Sequence, residues 1–192
     1  MRPFPYTLET TPLQPQEVRS SIYSGKFDDL LKDLNKNQSW RLIMGPENKR
    51  LKDRELILRF FALFYNRDKY SKPMREFLNQ YMGKNRFLKL QSAEKLSGLF
   101  ENTIDTISKN IGPEAFKPAR AINAAVYDSV MIGVAKRLQK KGKIADKKSF
   151  LEKYSLLLKS SQYIKLVSSG TADEPSVKDR IELAIEAFAN IP

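Results

Sequence analysis

The densest stretch of chemistry-bearing side chains is Lys136-Arg137-Leu138-Gln139-Lys140-Lys141-Gly142-Lys143, continued by Lys147 and Lys148. Clustered cations need no special spacing to meet a phosphate backbone. Lys136, Arg137, Lys140, Lys141, Lys143, Lys147 and Lys148 therefore form a candidate nucleic-acid-binding patch. The competing reading is a solvated helix junction: these residues fall at a helix end, its loop and the next helix start, where the dipole favours cations and all of them can point into water. A thinner set, Lys84, Arg86 and Lys89, lies beside Tyr81 and Phe87. Aromatics interleaved with cations suit single strands, and they equally serve to anchor a loop.

Other chemistry is narrowed by what the chain lacks. It contains no cysteine and no histidine. That removes disulfides, thiolate nucleophiles, Cys/His zinc sites, Ser-His-Asp catalysis and histidine acid–base work together. No short Asp/Glu cluster points to magnesium, and no glycine-rich phosphate loop is present. The pair Asp28-Asp29 falls opposite the leucines of its helix and reads as surface charge. No catalytic, cofactor-binding or metal-ligating residue is assigned, and no cofactor is expected. The formal charge of +12 favours nucleic acid, an anionic ligand or an acidic protein as partner. No run approaches the ~20 apolar residues of a membrane span, and no signal-peptide pattern opens the chain. No membrane association is expected, and the cytoplasm is the expected address.

The elements that must position these groups are helical. Asp53–Tyr65 carries Leu56, Phe60, Leu63 and Phe64 at helical spacing, with Ile57, Phe61 and Tyr65 extending the apolar surface around most of the cylinder. A helix apolar on nearly every side belongs at the centre of a domain. Asp53 is placed to cap it, Glu55 complements its dipole, and Arg54 and Arg59 are its odd residues. They either reach solvent at an edge or meet something negative. Amphipathic helices are predicted over Pro15 to about Ser24, Phe27–Lys36, Ser39–Met44, Lys72–Met82 (closed by Gly83), Ala93–Ser108, Ile122–Leu138, Asp146–Lys159 and Gln162–Val167. Ser176 and Asp179 read as a capping box opening a last helix through Phe188. Residues 1–13, with prolines at 3, 5 and 12, form an extended segment whose Phe4, Tyr6 and Leu8 alternate as a docking edge. The expectation is an all-α fold of eight to ten helices. Residues 14–192 form one domain with a weak seam near 110–118.

Several strings resemble the GmrSD-type restriction-endonuclease N-terminal domain family. They are Pro12-Leu13-Gln14-Pro15-Gln16-Glu17-Val18-Arg19, Ile22-Tyr23-Ser24-Gly25-Lys26-Phe27, Trp40-Arg41 and Arg50-Leu51-Lys52-Asp53-Arg54-Glu55-Leu56-Ile57-Leu58-Arg59-Phe60. Met74 with Phe77-Leu78-Asn79, then Ser169-Gly170-Thr171 with Val177 and Arg180-Ile181, continue in the family's order. The resemblance runs from about Thr11 to Phe188. It implies a ParB-like relative acting in modification-dependent restriction of foreign DNA. The family's Asp-Gly-Gln-Gln-Arg signature, to which nucleotide hydrolysis is assigned, is absent here. So the resemblance implies the helical second half alone, non-catalytic and partnered by a nucleotide-binding half or a full-length relative, with DNA contact in addition. The alternatives are a stand-alone basic nucleic-acid-binding module, or a regulator or decoy of a full-length relative.

Overall fold

A computed structural model describes residues 12–192. Phe4, Tyr6 and Leu8, with most of the expected extended segment, lie outside the described residues. The fold is all-α, with ten α-helices and no strand among the described residues. They are α1 Pro15–Ile22, α2 Lys26–Leu34, α3 Gln38–Met44, α4 Lys52–Asn66, α5 Met74–Asn85, α6 Ala93–Asn110, α7 Ala124–Lys141, α8 Lys147–Lys159, α9 Ser161–Ser168 and α10 Glu174–Ala189. A 3-10 turn, Arg67–Lys69, follows α4.

Helix α4 is central, as its composition demands. Leu56, Ile57, Leu58 and every residue from Phe60 to Phe64 are buried, so the helix is covered on nearly all sides. Its neighbours include α2, α5 and α7. Aromatic rings fill the contacts: Phe27 of α2 meets Phe61 at 6.2 Å and Tyr81 of α5 edge-on at 5.8 Å. Trp40 of α3 sits edge-on to Phe100 of α6 at 5.7 Å and 5.6 Å from Tyr127 of α7. Each fully buried side chain of this size stabilises the fold by about 1.5–3 kcal/mol from the removal of apolar surface alone.

Helix α7 is the second axis, with every residue from Ala125 to Ala135 buried. It makes its most extensive contact with α10. Gly133 allows it: a Cβ there would stand 2.7 Å from the Ala184 carbonyl oxygen and 2.9 Å from the Phe188 ring. The stretch 110–118, which joins α6 to α7, is packed against the helices around it. Ala115 and Phe116 are fully buried, Phe116 meets Tyr127 at 4.9 Å, and the Tyr154 hydroxyl donates to the Ala115 carbonyl at 2.5 Å. The crossing between α6 and α7 is therefore tied down from both sides.

Four local expectations are corrected. Asp53 lies inside the first turn of α4 rather than at its cap, which is Leu51 at φ 57°. Gly83 does not close α5, which runs on to Asn85; its missing side chain admits the Tyr23 ring, 3.2 Å from where a Cβ would be. Helix α10 opens at Asp173, with Pro175 in its first turn, so Ser176 is already inside it. Asp28 is no surface charge: it is buried, accepting from the Ser20 hydroxyl at 2.8 Å and pairing with Lys32 at 2.9 Å.

Two glycines in helix interiors give opposite expectations for one substitution. Gly133→Ala must displace the α10 backbone, and overpacking of this kind costs about 1–3 kcal/mol, more than the helix propensity it gains. Gly98→Ala meets nothing within 4 Å, so it gains about 0.5–1 kcal/mol. Urea unfolding midpoints should move down for the first and up for the second. A rise for Gly133→Ala would mean that the α7–α10 contact is looser than described.

Candidate functional site

The central helix carries Arg59 into the interior, where it meets Asp128 of α7. Its Nε donates to Asp128 Oδ1 at 3.0 Å and its Nη2 to Oδ2 at 2.5 Å, a two-pronged pair. Arg180 of α10 donates from Nη2 to the same Oδ2 at 3.2 Å and from Nη1 to the Thr171 carbonyl at 2.6 Å. Asp128 and Arg180 are fully buried. One carboxylate thus serves two guanidiniums from two other helices, which leaves a positive charge in excess at low dielectric. Burial alone would lower the Arg59 pKa, but Asp128, joined by Glu55, outweighs it and holds the guanidinium above its ordinary value.

A second layer lies one turn earlier on α4. Glu55 accepts from Arg19 Nη1 at 2.7 Å, and Arg19 is buried at the end of α1. The same Nη1 donates to Gln16 Oε1 at 2.9 Å, and Arg19 Nε donates to Asn79 Oδ1 of α5 at 2.9 Å. Asp53 accepts the Asn48 amide at 3.0 Å and pairs with Arg41 at 3.0 Å, so the loop 45–51 is folded back on the start of α4. Glu17 accepts the Gln14 amide at 2.6 Å and pairs with Arg50 at 3.1 Å, and Arg50 also donates to the Pro12 carbonyl.

These groups border a cavity of about 450 Å³ between the start of α1, the loop 45–51, the first turns of α4 and the entry to α7. Its polar lining includes Gln16, Arg50, Lys52, Arg59 and the carboxylate Glu55, and its apolar lining Met44, Leu56 and Ile122. Gln16 is buried, and its Nε2 has no hydrogen-bond partner. Because Gln16 Oε1 is taken by Arg19, the unused group is the donor. A larger cavity beside Tyr70, about 520 Å³, is lined by charges of both signs, Arg67 and Lys178 against Asp68, Glu174 and Asp179. No group of three or more carboxylates suited to a metal occurs among the described residues, and no described helix is long and apolar enough to cross a membrane.

The expected basic patch is only partly a surface. Lys140, Lys141, Lys143, Lys147 and Lys148 are exposed around the α7–α8 corner. Arg137 is not: it is 2% exposed, donating from Nε to the Ile191 carbonyl at 2.6 Å and from Nη1 to the Gly142 carbonyl at 3.0 Å. It caps carbonyls at two chain turns, which take its Nε and Nη1 donors. Lys136 is half-buried with its Nζ 4.1 Å from the centre of the Phe64 ring; burial, then Arg67 nearby, lowers its pKa. In the thinner set, Arg86 donates to the Ser24 carbonyl at 2.7 Å and Tyr81 is buried, so these two anchor the loop, while Lys84, Phe87 and Lys89 are exposed. Gln16, Asp128 and Arg180 are not among the sequence-derived site residues. A signal for Asp128 does exist: it is the only acidic residue between Glu114 and Asp146, in the middle of an apolar helix.

Removing one partner from a buried ionic cluster costs about 3–5 kcal/mol, because the remaining charges stay desolvated. Asp128→Asn is therefore expected to lower the unfolding free energy by about that amount, measured by urea titration followed by circular dichroism. A loss under about 1 kcal/mol, the range of an exposed pair, would show that the cluster is solvated. Compared with known proteins, the chain matches no protein-family model, no curated protein and no solved structure.

Proposed function

We propose that this chain is the helical, non-catalytic part of a GmrSD-like anti-phage protein of modification-dependent restriction, working with a nucleotide-binding half supplied by another chain or a full-length relative. One observation carries the reading. The first of the strings on which the resemblance rests is hydrogen-bonded to two others that lie far from it in sequence. Arg19 of the first string reaches Glu55 and Asn79, while Arg41 forms an ion pair with Asp53 and Arg180 donates to the Thr171 carbonyl over shorter spans of chain. Residues that depend on one another in this way form a polar framework, and the same strings also carry core residues, among them Phe27, Trp40, Phe60, Phe77 and Ile181. Gln14, Pro15 and Gln16, which line the pocket, directly follow the segment read as a docking edge. Under this reading a second half would sit close to the pocket mouth.

The test is reconstitution. The purified chain alone should leave nucleoside triphosphates intact. Mixed with a protein bearing the Asp-Gly-Gln-Gln-Arg half, it should co-elute on gel filtration and raise that partner's hydrolysis. Hydrolysis by the chain alone, or no association with any such half, overturns the proposal.

The exposed lysines at the α7–α8 corner support a second reading, in which the chain binds nucleic acid in its own right. Lys140→Glu, Lys141→Glu and Lys143→Glu combined should then weaken DNA or RNA binding. The slope of log affinity against log salt should also fall by roughly 0.7–0.9 for each phosphate no longer neutralised. Binding that ignores salt, or that the triple variant leaves unchanged, removes this reading.

A further inference from the structure

We infer that the pocket between α1, α4 and the entry to α7 is a binding site for a small phosphate-bearing anion, its charged group held by Arg59, Gln16 and Lys52.

Charge is the first argument. The ionic network and the pocket lining together hold Arg19, Arg50, Lys52, Arg59 and Arg180, against the carboxylates of Glu17, Glu55 and Asp128. Each of these carboxylates is already paired, so the excess is positive and lies toward the cavity. Buried charge of this kind is stable when an anion completes it.

Donor placement is the second. Asp128 takes Nε and Nη2 of Arg59, leaving Nη1 without a partner among the described residues on a side chain that lines the cavity. Gln16, only 1% exposed, is in the same lining, and its Nε2 donor is unpartnered. A buried amide donor with nothing to bond is costly, and an oxyanion satisfies it. Lys52, exposed at the rim, adds a mobile charge that can close over a ligand.

Size and lining are the third. A volume of about 450 Å³ exceeds what a lone phosphate needs and falls within the range of small-molecule sites. Met44, Leu56 and Ile122 offer an apolar wall for the body of an organic phosphate. The other large cavities lack this combination. The one beside Tyr70 sets three carboxylates against two cations, and the one beneath Lys143 sets Asp105 against two lysines, whereas the pocket on α4 sets Glu55 against Arg50, Lys52 and Arg59. The inference uses residues of this chain only, so it stands or falls independently of the reconstitution test above.

Isothermal titration at low salt with inorganic phosphate, ribose 5-phosphate and unphosphorylated ribose tests it. Saturable one-site binding is expected for both phosphates and none for ribose. Tighter binding of the ester identifies an organic phosphate as the ligand, and equal binding identifies the free oxyanion. Gln16→Glu keeps the acceptor for Arg19 but replaces the free donor with a negative charge. It should cut affinity about tenfold or more, as should Lys52→Glu, whose exposed position leaves thermal unfolding little changed. Lys143→Glu, at the remote corner, should change affinity little. Absence of saturable binding overturns the inference. So does an equal loss in Lys143→Glu and Gln16→Glu, which would reduce the effect to the overall positive charge.

Discussion

The arrangement of the central helices depends on a single carboxylate. Asp128 lies on a helix that is otherwise apolar through its middle, and it is reached by arginines from α4 and α10. Taking three charged groups out of water is expensive, and the attraction between them repays it only when the geometry is right. Apolar packing alone could let these helices slide or rotate with little penalty, because hydrophobic contact is non-directional. The two-pronged bond from Arg59 and the single bond from Arg180 fix both the rotation and the height of the three helices.

Around this point the packing divides its work. On one side, α10 lies so close to α7 that only glycine fits at 133, and Phe150 of α8 stacks on Phe188 at 5.4 Å. On the other, the aromatic rings of α2, α3, α5 and α6 enclose α4. The short helix α1 would be a poor element alone: eight residues with little apolar surface, since it buries only Gln16 and Arg19. It is held by polar contacts instead, chiefly the Arg19 guanidinium shared among Gln16, Glu55 and Asn79. This is why the cavity has a polar floor. The element that closes it is attached through hydrogen bonds, and the apolar core stops short of it.

The all-helical class and most of the helices are legible in the sequence because apolar spacing over ten or more residues is a strong local signal. Leu56, Phe60, Leu63 and Phe64 mark the central helix correctly. The errors fall where a distant residue decides. Asp53 looks like a cap from its place before an apolar run, yet its carboxylate serves Asn48 and Arg41. Gly83 looks like a stop because glycine often ends helices, whereas here its lack of a side chain receives Tyr23, just after α1. Helix α10 begins early because Glu174 accepts the Lys72 amide at 2.9 Å and Asp173 pairs with Lys72 at 3.1 Å, a partner about a hundred residues away in sequence. Arg59 stands out as a charge on a buried helix, and its partner does not, because periodicity does not say which helices face each other. Density alone picks out the lysine corner, and density cannot reveal that Arg137 turns inward to carbonyls.

The side chain at position 59 has two roles: two of its nitrogens hold Asp128, and the third, without a partner among the described residues, belongs to a side chain that also lines the cavity. A guanidinium can do this because its donors fan out from a rigid plane. An ammonium, with its charge at one point on a flexible stem, would have to give up either the anchor or the cavity wall. Lysine is therefore no neutral exchange at this position, although it would keep both the charge and much of the length.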